Sequence, residues 1–66
     1  MAKPYLSLAP SEQAVTQAAA EIYAAYIVAG RVPAGEEAKW REQAIREAIE
    51  IAKAVDASVH AAGEMA

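Results

Sequence analysis

The chain's one histidine, His60, stands four residues after Asp56 and four before Glu64, a spacing that sets carboxylate, imidazole and carboxylate along one side of a helix. Three such groups have the donor chemistry for a divalent metal, but Gly63 falls inside the series and weakens the helix that would hold it. A surface polar stripe is the reading adopted. Di-iron helical bundles draw Glu-x-x-His pairs from two helices, and the residue three before His60 is Ala57. Ser7, Ser11 and Ser58 have no second histidine to activate them, and no glycine-rich phosphate loop occurs. The expectation is a non-enzymatic protein with no metal and no cofactor.

Other chemistry is recognition. Lys39, Arg41 and Gln43 fall near the start of a long helical segment, as basic and amide side chains do on a helix that reads a DNA groove. Arg31 and Arg46 extend that basic cluster, but Glu36, Glu37, Glu42 and Glu47 are interleaved with it, and the whole chain carries net charge -3. A field so divided is a poor attractant for phosphate backbones. Nucleic-acid binding is therefore the second reading, behind protein–protein interaction.

The positioning elements follow from punctuation. The prolines at 4, 10 and 33 and the glycines at 30, 35 and 63 all lie at the margins of two alanine-rich segments. Pro10 suits a first helical turn, with Ser11 as the alternative cap and Glu12 at the positive end of the dipole. Gly30 can end that helix in a left-handed conformation, and Pro33 blocks continuation. The sequence predicts an all-α fold: helix one over about 10–29, helix two over about 34–62, an extended arm at 1–9 and a tail at 64–66. A connection this short folds the helices back as an antiparallel hairpin.

Heptad spacing assigns the faces. Val15, Ala19, Ile22, Tyr26 and Ala29 share one stripe of helix one. Arg41, Ile45, Ala48, Ala52, Val55, Val59 and Ala62 form the expected seam of helix two, widened by Ala44, Ile49 and Ile51. Small residues at 18, 19 and 25 and at 44, 48 and 52 allow close helix approach. Glu37 with Arg41, Glu42 with Arg46 and Arg46 with Glu50 are candidate i,i+4 ion pairs on the outer face.

Composition argues for self-association. Nineteen residues are alanine, only twelve are Ile, Leu or Val, and phenylalanine and cysteine are absent. Ordering such a chain costs on the order of 100 kcal/mol, which a thin core scarcely matches, and no disulfide is available as a staple. Ala20, Tyr23 and Ile27 lie about 100° around helix one from its main stripe, so the helix has more apolar surface than one neighbour can cover. The expectation is a homodimeric four-helix bundle. Its contact residues are expected to be Ile22, Tyr23, Tyr26 and Ile27 from helix one, and Trp40, Ile45, Ile49 and Ile51 from helix two. Helix two is also expected to outrun helix one, with Tyr5, Leu6 and Leu8 of the arm packing near Val55 and Val59. The Ala14–Ala29 stretch is interrupted by Thr16, Gln17 and Glu21 and is too short and polar for a bilayer span, and no signal-peptide core is read near the start, so a cytoplasmic protein is expected.

Overall fold

A computed structural model describes residues 8–61, with the side chains of residues 60 and 61 outside the description. It consists of two packed helices, α1 (Pro10–Val28) and α2 (Glu37–Ala61), with no strand among the described residues.

Local chemistry fixes both ends of the connection. Pro10 takes the first helical position of α1, and Ala9 before it is extended at ψ 156°, as a residue preceding proline prefers. Ala9 has no side-chain oxygen with which to cap the helix. Instead the Glu12 carboxylate reaches back to accept the Ala9 N–H at 2.9 Å, which is the reciprocal half of a capping box. At the other end the Arg31 N–H donates to the Tyr26 carbonyl at 2.9 Å and the Gly30 N–H to that of Ile27 at 3.0 Å. With Gly30 at φ +73°, these two bonds make a Schellman motif.

Helix two starts three residues later than the expected 34. The Glu36 N–H donates to the Pro33 carbonyl at 3.0 Å, closing a β-turn whose third residue, Gly35, has φ +92°. That conformation is incompatible with a right-handed helix, so α2 begins only after it, and the Trp40 N–H opens its ladder on the Glu36 carbonyl at 3.1 Å.

The core is three alanines. Ala19 of α1 meets Ala44 and Ala48 of α2, exposed by 7%, 1% and 1%, with Val15, Ala18, Ile22, Tyr23 and Tyr26 half-buried around them. The α1 stripe thus faces its neighbour from Val15 to Tyr26, while its last expected member, Ala29, is exposed. The α2 seam is rotated from the expected one. Its centre runs through Ala44 and Ala48, in the same i,i+4 row as the half-buried Trp40, while Arg41 and Ala52 are exposed and Ile45 stays 45% exposed. The methyl side chains let the backbones approach most closely along their own row, and the larger Ile45 is displaced to the flank.

Length decides the other end. At 1.5 Å per residue the 25 residues of α2 outrun the 19 of α1 by roughly 9 Å. Val55, on the protruding part, is 56% exposed. Tyr5 and Leu6 lie outside the described residues. Leu8 is half-buried and lines the same hollow as Ile45 and Ile49, and Val59 is half-buried. The outer-face ion pairs also differ from the expected ones. Among the described residues they are Lys39–Glu36 at 3.8 Å and Lys53–Glu50 at 3.5 Å, both i,i+3, while Glu37 accepts the Gly35 N–H at 3.0 Å. Such exposed pairs contribute little.

Candidate functional site: an apolar groove on one flank

On one flank the rotated seam leaves a groove between the helices. It is a cleft of about 630 Å³, lined on α2 by Arg41, Ile45 and Ile49 and on α1 by Val15, Thr16, Ala19, Ala20 and Tyr23, with Leu8, Ser11 and Glu12 at its open end. Thr16, Ala20 and Tyr23 are spaced four and three apart, so the stripe predicted from Ala20, Tyr23 and Ile27 begins one turn earlier than the sequence argument placed it. The polar hydroxyl of Thr16 hid it. That hydroxyl is turned inward, donating to the Glu12 carbonyl at 2.7 Å, which leaves the groove side of this turn apolar in character.

Of the eight expected contact residues, Tyr23, Ile45 and Ile49 line this groove. Ile45 and Ile49 remain 45% and 40% exposed, whereas Tyr23 is half-buried because it also packs on the alanine core. Ile27 and Ile51, each 52% exposed, lie outside the groove lining. Ile22 and Tyr26 are half-buried against the core of their own chain.

Trp40 belongs to a second, smaller hollow at the turn end, about 390 Å³, bounded by Tyr26, Arg31, Lys39, Trp40, Gln43 and Arg46. Its ring meets Tyr26 edge-to-face, with centroids 5.3 Å apart and planes at 71°. The indole N–H donates to Glu36 Oε1 at 3.2 Å, and Lys39 Nζ lies 5.5 Å from the ring centre. The sequence reading expects Trp40 among the contacts between copies. The structure instead gives it an aromatic partner on α1, because the seam row of Ala44 and Ala48 extends back to it.

No family model, curated protein or solved structure matches the chain. What the site can do must be read from its own chemistry. Among the described residues no cluster of three His, Cys, Asp or Glu side chains is placed to hold a metal, and no polar or charged residue is buried. His60's side chain and Glu64 lie outside the described residues, so the Asp56, His60, Glu64 series is not placed. The groove offers contact area and shape: aliphatic walls, a tyrosine and a charged residue at each end. No helix among the described residues is long and apolar enough to cross a membrane.

Proposed function

We propose that the protein is a small, non-enzymatic helical hairpin of the cytoplasm that works by self-association, two copies burying this groove against each other as a four-helix bundle. The observation carrying the proposal is the mismatch between a core of three methyl groups and the aliphatic side chains left half-exposed beside it. A half-exposed isoleucine or valine leaves about 1 kcal/mol of transfer free energy unrealised. Over Ile45 and Ile49 in each of two copies that is on the order of 4 kcal/mol, comparable with the roughly 3–10 kcal/mol of net stability typical of a chain this size. Isolated exposed aliphatics need no explanation, but Ile45 and Ile49 are one turn apart in a concave surface with Tyr23 and Leu8.

A partner of another sequence is the competing occupant, and the bundle it would complete has the same physics. The nucleic-acid reading has less support: Lys39 of the basic cluster is paired with Glu36 and lies beside Trp40.

Sedimentation of the full chain from low to high micromolar concentration tests self-association. The expected result is a monomer–dimer equilibrium, with the Ile45→Glu, Ile49→Glu double variant remaining helical and raising the dimer Kd at least about a hundredfold. A compact, fully helical single copy throughout that range overturns the proposal.

A further inference from the structure

The groove has an electrical direction. Two charged side chains line it, and they stand at opposite ends: Glu12 in the first turn of α1, at the open end, and Arg41 in the second turn of α2, at the turn end. In an antiparallel hairpin the starts of the two helices lie at opposite ends, and with Ala19 set between Ala44 and Ala48 this puts Glu12 and Arg41 roughly 18 Å apart along the helix axes. Between them the lining is apolar, with Val15, Ala19, Ala20, Tyr23, Ile45 and Ile49. Arg41 has no ion pair within 4 Å among the described residues, and Glu12 uses one carboxylate oxygen on the Ala9 N–H, leaving the other open to a second donor.

A second copy can cover this groove about a two-fold axis in two ways. If the axis runs along the helices, like ends meet, so that Glu12 faces Glu12 and Arg41 faces Arg41. If it runs across them, opposite ends meet and each Arg41 faces the other copy's Glu12, twice by symmetry. Apposed like charges at the rim of an apolar contact oppose association, and complementary ones fix its register. We infer that the copies pair in the second way, with the α1 helices running in opposite senses and two reciprocal Arg41–Glu12 contacts closing the ends. This rests on the self-association reading and adds to it an orientation.

Charge reversal separates the arrangements. Arg41→Glu, which leaves the α1 cap untouched, is expected to raise the dimer Kd by about tenfold or more, and salt is expected to narrow the gap from wild type. Glu12→Arg is expected to do the same. The double variant, with the charges exchanged, is expected to recover most of the loss relative to Glu12→Arg alone, a comparison in which the missing cap contact is common to both. In the like-ends arrangement the same reversals exchange one repulsion for another, so an unchanged Kd for Arg41→Glu overturns the orientation while leaving the dimer standing. A wild-type chain that stays monomeric removes both. Cysteine is absent from the sequence, so Glu12→Cys and Arg41→Cys chains provide a readout that does not depend on affinity. Oxidative cross-linking is expected only when the two are mixed, and self-linking of Glu12→Cys alone overturns the orientation.

Discussion

At the turn end, Trp40, Tyr26, Glu36 and Lys39 hold one another within the chain, and two glycine-dependent turns set the path between the helices. Along the groove, Ile45, Ile49 and Tyr23 have the hairpin on one side and water on the other. The first region is satisfied by contacts within one chain. The second has its shape fixed by the chain but much of its burial still to be realised. On the self-association proposed above, the difference assigns folding and association to separate parts of this small molecule, so substitutions should be able to affect one with little effect on the other.

The largest effect is expected where the two regions share a foundation. Ala19, 7% exposed, lines the groove and lies in the helix contact alike, so Ala19→Leu should force the helices apart and cost about 3 kcal/mol, seen as a fall of about 10 °C or more in the melting temperature. Loss of dimer should accompany it. If instead the variant melts normally, the alanine row is not the closest contact and the comparison fails. Next comes Trp40→Ala, which removes the edge-to-face contact and the bond to Glu36. Because the ring is half-buried, about 2 kcal/mol is expected, the same at low and high protein concentration. A concentration-dependent loss would show that Trp40 belongs to the association surface after all. Smallest is Gly35→Ala. A Cβ there meets nothing within 4 Å, so the cost comes only from the φ of +92° and should be about 1 kcal/mol by chemical denaturation. It sharpens the comparison because the turn should weaken while the groove's apolar lining is unaltered.

Much of the fold was legible because its boundaries depend on residues with unusual backbones. Pro10 and Gly30 bracket α1, and the stripe of Val15, Ala19, Ile22 and Tyr26 packs against α2. The later start of α2 was hidden in Gly35: its position in a turn with positive φ is a conformational fact that composition does not display. The rotation of the second seam was hidden for a different reason. Hydrophobicity weights Ile45 above Ala44, but helix approach rewards the smaller side chain, and here Ala44 is 1% exposed against 45% for Ile45. The usable signal was the row Trp40, Ala44, Ala48, in which a bulky residue closes a lane of small ones. The groove was half legible, through Ala20 and Tyr23. Leu8, Thr16 and the charged ends depend on how the two helices register, and that register becomes visible only once they are paired.

The three-methyl core also has a thermal consequence. Little hydrocarbon leaves water when one hairpin folds, so its unfolding heat capacity is small and its stability curve shallow. In the proposed dimer, burying the isoleucine flank would steepen that curve, so cooling would weaken the assembly more than the hairpin inside it.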